Sequence, residues 1–381
     1  MTERQSSPAS LSAEALSHGN SGPLRLGGLG LVLPTFAVDR AELPSARHLA
    51  SVAAEAERAG ATGIWSCDHL FWRTPLIECL SSLAVAATST QGSVLGASVL
   101  QVPLRSAPVI AKQAGSLQQL SNGRLVLGVG VGSHEPEYAE AGATFRSRGR
   151  RLDAAIAELR RLWDGGHGRP GYAQLPVPDP AIPVFVGGSS PRALARAAAA
   201  GDGWIANFVD PEEYSAHLAV LEDIAEASGK DPTLVRRLVL LFVSVGGEDP
   251  RGRGLAWMSA LYGLPEKAFG RHLVHGSPGD CAARIGEYVE AGAEHVVVFY
   301  AGDDPLAPFS SLALASRKAE LFTAGGADSL SSGAVPHTGD AAGGSTNMTA
   351  RRRTPALADR LPERVLPERV GSAYGTAQRD R

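Results

Sequence analysis

Four short stretches hold the side chains with chemistry to offer. The first is Ser66-Cys67-Asp68-His69-Leu70-Phe71-Trp72-Arg73. A carboxylate beside an imidazole is a candidate acid–base pair, because histidine titrates near neutral pH. A capping Asp and a hydrogen-bonded His in a turn would use the same residues. The second is Gly128-Val129-Gly130-Val131-Gly132-Ser133-His134-Glu135-Pro136-Glu137-Tyr138. Its alternating glycines strip one face of side chains, which suits a ring system lying against bare backbone. His134, Glu135 and Glu137 lack the His-Glu-x-x-His spacing of a metal helix, and Pro136 argues against a helix there, so no metal site is expected.

The third stretch, Gly187-Gly188-Ser189-Ser190-Pro191-Arg192, reads as a glycine turn, a Ser N-cap and a Pro at the first helical position. Free amides and hydroxyls at a helix N-terminus fit a phosphate, and equally serve as a cap alone. Gly276-Ser277-Pro278-Gly279-Asp280 repeats the device as a secondary candidate. The fourth, Gly96-Ala97-Ser98-Val99-Leu100, has small residues that admit either a flat ligand or a close neighbouring strand.

These stretches need a scaffold that brings them together. Apolar runs at 26–33, 62–67, 93–100, 124–130, 182–186, 203–206, 238–245 and 295–300 read as strands. They are rich in Val, Ile and Leu with little strict alternation, as in parallel strands buried on both faces. The segments between them carry one apolar stripe each, such as Leu49, Val52, Ala53 and Ala56. Three helix exits place Gly60, Gly201 and Gly292 where a left-handed residue would end the helix. Eight helix-linked strands within 25–323 predict a closed (β/α)8 TIM barrel, with chemistry at the C-terminal ends of the strands. The glycines at 128–132 are followed by a loop, so they fail the context of a dinucleotide fingerprint.

Composition narrows the function classes. The 381 residues are 44% hydrophobic and 20% charged, with a net charge of −3. Residues 351–381 hold eight Arg and four acids, a balance of +4, which leaves −7 for residues 1–350. A mildly acidic body gives no electrostatic reason to expect nucleic acid. Cys67, Cys79 and Cys281 are isolated, as in a protein of a reducing cytoplasm. The longest apolar run, 238–245, is too short to span a bilayer. Residues 1–24 read as a flexible leader, and 324–381, Gly/Ser-rich and then Arg/Pro-rich, as a disordered tail.

Taken in order, Asp68-His69, Gly96-Ala97-Ser98-Val99, LSNGRLVLGVGVG at 120–132, Phe145-Arg146-x-Arg148-Gly149-x-Arg151-Leu152-Asp153 and PVFVGGSSPRALARAAAAGDGW at 183–204 resemble the bacterial luciferase-like superfamily. The resemblance covers about 26–323 and is nearest the branch that uses coenzyme F420, an 8-hydroxy-5-deazaflavin. It implies a ring across the barrel mouth, with Asp68 helping to hold it and His69 as proton donor or acceptor. The flavin luciferases tend to have Glu-His where this chain has Asp68-His69, which favours the deazaflavin. It further implies a cis peptide at Ser98–Val99 behind the ring, and Gly130, Gly132 and Ser133 facing it. Gly187, Gly188, Ser189 and Ser190 would hold the phosphate or ribityl chain. Two departures stand out. The sugar-phosphate dehydrogenases of that branch carry Glu where Ser133 stands, and Trp where Arg73 stands, with Trp72 one residue earlier. Residues 248–276 carry no substrate signature.

The resulting expectation is an F420-dependent oxidoreductase that passes a hydride between coenzyme and a small organic molecule, with His69 as acid–base. An FMN-dependent monooxygenase fed by a separate reductase, and a barrel that binds coenzyme without catalysis, are the alternatives. The resemblance also implies a homodimer.

Overall fold

Short apolar runs alternating with amphipathic segments become nine strands and ten helices among residues 26–38, 42–165 and 176–322, which the computed structural model describes. The expected leader at 1–24 and tail at 324–381 lie outside the described residues. In chain order the strands are β1 (Gly28–Val32), β2 (Gly63–Ser66), β3 (Val94–Leu100), β4 (Leu125–Val129), β5 (Val184–Gly187), β6 (Gly203–Asn207), β7 (Arg236–Val245), β8 (Leu273–Gly276) and β9 (His295–Tyr300). The helices are α1 (Ala46–Ala59), α2 (Cys79–Ala87), α3 (Ala107–Leu120), α4 (Glu135–Glu140), α5 (Arg148–Trp163), α6 (Pro191–Ala200), α7 (Pro211–Ala227), α8 (Pro250–Tyr262), α9 (Pro278–Glu290) and α10 (Leu306–Lys318).

Parallel pairing runs from β1 through β7 in sequence, then from β7 to β9 and from β9 back to β1. The eight expected strands therefore close the barrel, with every C-terminal end on one rim. One strand was not expected. β8 pairs with Phe242–Val245 of β7, just beyond where β6 stops at Leu240. Its four residues, Leu-Val-His-Gly, are too short and too mixed to stand out as an apolar run.

Both faces of the strands are buried. Val126, Phe185, Ile205, Leu240 and Val297 fill the barrel, while Leu127, Val184, Ala206, Leu241 and Val298 pack under the helices. Each of the larger of these side chains, Val, Leu, Ile or Phe, contributes about 1.5–3 kcal/mol on burial. The helices are cut where their ends can be satisfied: Ser45 caps α1 by accepting from the His48 amide at 3.2 Å, and Gly60 ends it at φ 103°. Gly292 is left-handed as expected, at φ 104°, but Gly201 is not, at φ −86°. Its reason is crowding. A Cβ there would sit 2.8 Å from the Ala197 carbonyl oxygen.

Toward the N-terminal ends of the strands a single indole fills the interior. Trp65 is fully buried and its Nε1 donates to Nε2 of buried His295 at 3.0 Å. Gly30, Gly63 and Gly96, from three adjacent strands, all face that indole, and a Cβ on any of them would collide with it. Below it, Glu294 bridges Arg236 at 2.6 Å and Arg237 at 2.8 Å.

Burial drives the His295 imidazole down to about 3, against its ordinary 6.5. The folded chain refuses a proton that the unfolded chain accepts, so stability falls as pH drops from about 6.5 toward 3, at up to about 1.4 kcal/mol per pH unit. Thermal unfolding followed from pH 7 to 4 is expected to give a shallower slope for His295→Gln, which keeps an acceptor for Trp65. Equal slopes for the two proteins would contradict this role for His295.

Candidate active site

The turn after β2 is set by what grips Asp68. Its carboxylate is buried and takes a two-pronged bond from Arg105, Nη2 to Oδ1 at 2.6 Å and Nη1 to Oδ2 at 2.7 Å. The Gln101 amide donates to the same Oδ2 at 2.9 Å, and Gln101 Nε2 donates to the Asp68 carbonyl at 2.9 Å. Both carboxylate oxygens are thus committed to the end of β3 and the loop after it. Asp68, expected to help hold a coenzyme, thus spends its carboxylate on Arg105 and Gln101.

His69 follows with its ring stacked on Trp72, centroids 3.9 Å apart and planes 25° from parallel. Trp72 therefore stands against the imidazole despite its one-residue displacement from the resembling enzymes. Its Nε1 donates to the Leu261 carbonyl of α8 at 2.9 Å, and Tyr262 meets it edge-on at 5.9 Å. Residues 248–276, silent in sequence, supply this wall. Phe208, at the end of β6, meets Tyr262 edge-on at 5.6 Å and continues it.

His69 Nδ1 lies 3.1 Å from Glu137 Oε2, and the Glu137 side chain is fully buried. Glu137 Oε1 accepts from the backbone amides of Leu70 and Phe71. Burial pushes this carboxyl upward, but His69 and the two amides outweigh it and hold it below the usual carboxylate range. A fixed carboxylate behind one imidazole nitrogen leaves Nε2 for the mouth, and no protein partner of Nε2 is present among the described residues. A carboxylate that orients an imidazole in this way is an arrangement that proton transfer can use.

Glu137 was missed as a partner because Pro136 argued against a helix. The helix forms all the same: α4 begins at Glu135, and Pro136 lies in its first turn, where a missing N–H costs nothing. Acidic residues in a first turn were the available signal.

The side-chain positions of the glycines after β4 are already taken up by neighbouring residues. A Cβ on Gly128 would strike the Ala97 carbonyl, one on Gly130 would strike Val99, and one on Gly132 would strike Gln101 Oε1. These three positions make room for β3 and its extension. Gly187 does the same from β5, since a Cβ there would come within 2.7 Å of Val99 Cγ1. Val99 thus fills the space between the ends of β4 and β5, and the Ser98–Val99 peptide is cis. Ser133 is exposed.

Ser190 caps α6 by accepting from the Ala193 amide at 3.3 Å, and Trp204 Nε1 donates to the Gly188 carbonyl at 2.8 Å. Ser189 Oγ and Asn207 Oδ1 are buried without a partner, and Ser98 Oγ has only the weak Cys67 thiol beside it. Buried polar atoms of this kind are normally satisfied. Three of them lie along β3, after β5 and at the end of β6, toward one rim. The second glycine–serine turn offers no such opening, because Asp280 accepts from both the backbone and the hydroxyl of Ser277. The structure therefore brings His69, Ser98, Val99 and the 187–190 turn to one rim, together with Glu137, Gln101 and Asn207, which were not singled out as site residues.

The chain is 33% identical over 243 residues to the F420-dependent hydroxymycolic acid dehydrogenase of Mycobacterium tuberculosis, covering 59% of this chain and 65% of that protein. It is 29% identical over 306 residues to the F420-dependent glucose-6-phosphate dehydrogenase of Mycolicibacterium smegmatis, covering 69% and 91%. Of uncharacterized mycobacterial relatives matched at 36% identity over 164 residues, the chain spans 57% of the length. The solved structure of an F420-dependent secondary alcohol dehydrogenase in complex with an F420–acetone adduct has a similar fold, with a TM-score of 0.64 at 18% identity over 77% of this chain and 100% of that one. No helix among the described residues is long and apolar enough to cross a membrane. Residues 28–251 match the family model for luciferase-like monooxygenases, and the chain belongs to that family.

Proposed function

We propose that this chain is an F420-dependent oxidoreductase that passes a hydride between the deazaflavin and a small organic substrate, with His69 as the proton-transferring group. The observation that carries the reading is the rim imidazole backed by buried Glu137, in a chain whose curated relatives include F420-dependent dehydrogenases. The orphaned hydroxyls of Ser98 and Ser189 and the Asn207 carbonyl fit a ligand rich in polar groups. Ser189 and the amides that open α6 would hold its anionic tether, and Val99 with the Ser98–Val99 peptide would stand behind the ring. When bound, the deazaflavin supplies a ring carbon that gives or takes a hydride.

The chain's own part is proton management and orientation. Glu137 fixes the imidazole plane through Nδ1, Trp72 covers one face, and Nε2 takes or gives the proton of the reacting oxygen. Trp72, Phe208 and Tyr262, half-buried, make an apolar wall for the substrate body. Ser133 cannot replace the second carboxylate of the sugar-phosphate dehydrogenases, so glucose 6-phosphate is expected to turn over poorly. A homodimer and a separate supplier of reduced coenzyme fit the family resemblance.

Fluorescence titration with F420 and with FMN tests the coenzyme: tight binding of F420 is expected, and micromolar binding of FMN alone would overturn it in favour of the monooxygenase reading. His69→Ala is expected to bind coenzyme nearly as well as the parent while turnover falls by about 10²–10⁴-fold. Full turnover in that variant would remove His69 from the chemistry. Coenzyme binding with no turnover of any reductant in a broad screen would point to the non-catalytic barrel.

A further inference from the structure

Two side chains of opposite character meet at one nitrogen of His69. Glu137 Oε2, an acceptor, is 3.1 Å from Nδ1, and Gln101 Nε2, a donor, is 2.8 Å from it. The amide cannot be turned over to remove the conflict. Gln101 Nε2 also lies 2.9 Å from the Asp68 carbonyl, and a flip would set two carbonyl oxygens face to face. Gln101 Oε1 meanwhile is buried without a partner, close against Gly132, so the nitrogen is held toward His69 at the cost of an unsatisfied oxygen. The Gln101 backbone is itself fixed by its amide bond to Asp68 Oδ2.

We propose that Gln101 is a positioning residue that sets the tautomer of His69 by competing with Glu137 for Nδ1. The inference rests on the reading of His69 as the proton-transferring group, but concerns the resting imidazole and can be checked without coenzyme. A neutral imidazole carries one proton. With the proton on Nδ1, it bonds to Glu137 but points at a Gln101 N–H, and Nε2 faces the mouth as a base. With the proton on Nε2, Nδ1 accepts from Gln101 but turns its lone pair on the Glu137 carboxylate, and Nε2–H faces the mouth as an acid. The competition keeps both forms within reach, which suits a group that must hold a proton in one direction of reaction and receive it in the other. A carboxylate alone would hold the proton on Nδ1 in the neutral ring.

The other charged groups around His69 do not set this choice. Asp68 is committed to Arg105 and reaches His69 only through space, and His134, itself under the charges of His69 and Arg73, faces Trp72 edge-on at 5.3 Å.

The test is ¹⁵N NMR of histidine-labelled full-length protein without coenzyme, with His69→Gln used to assign the signals. The wild-type neutral ring is expected to show averaged Nδ1 and Nε2 shifts, with at least about a tenth of each tautomer. Gln101→Leu and the isosteric Gln101→Glu are expected to drive it to the Nδ1–H form. Glu137→Gln, whose oxygen stays with the Leu70 and Phe71 amides and whose nitrogen then faces Nδ1, is expected to drive it to Nε2–H. In kcat/KM profiles measured with F420, the limb reporting the imidazole should move to higher pH in Gln101→Leu and to lower pH in Glu137→Gln. A purely structural role for Gln101 would lower activity without these opposed shifts. A wild-type ring wholly in the Nδ1–H form, which needs no variant to fold, would overturn the proposal; absence of turnover with F420 alongside the expected tautomers would instead fault the proposed function.

Discussion

The fork between Arg105 and Asp68 is the constraint on which the rim depends. Asp68 stands one residue before His69, and its carboxylate is held by the guanidinium and the Gln101 amide together. Fixing that carboxylate fixes the turn after β2, and with it the origin of the His69 side chain. It also fixes Gln101, whose amide reaches back to the Asp68 carbonyl. A buried charge pair of this kind is strongly destabilised when one partner is lost, because the other is left unpaired away from water. The pair therefore acts as a clamp between two strand ends.

Around that clamp, polar groups divide into two kinds. Those behind His69 are largely satisfied: the Glu137 oxygens, the Trp72 indole and the Asp68 carboxylate all have partners. Those near the ends of β5 and β6, Ser189 Oγ and Asn207 Oδ1, have no partner. The side chains around His69 are thus held in place by the protein's own hydrogen bonds.

The barrel was legible because its signal is redundant. Eight Val/Ile/Leu runs with amphipathic segments between them point to one architecture, and each run falls within about two residues of a strand at either end. Positions were legible where a residue's local role and its tertiary role coincide, as at Ser190, which caps a helix from sequence and in space. They were not legible where meaning comes from across the barrel. Nothing near Gly130 in the chain reveals that Val99 fills its missing side chain. Nothing near Glu137 reveals an imidazole 68 residues away. Pro136 does not exclude a helix at 135–140, because a first-turn proline fits one well. Trp72 looks out of place by one residue, yet the loop stacks its ring on His69.

The indole that fills the barrel toward the N-terminal ends of its strands has a further implication for divergence. Gly30, Gly63, Gly96 and Trp65 come from three neighbouring strands, yet they divide a single volume among them. No glycine of the trio can gain a methyl group while the indole stays, and shrinking the indole alone would open a void. The four positions are therefore bound into one inherited unit. Sequences that drift at this layer must change several members nearly together, and a chimaera that joins strands from two lineages would be expected to fail there first, however well its catalytic rim was preserved.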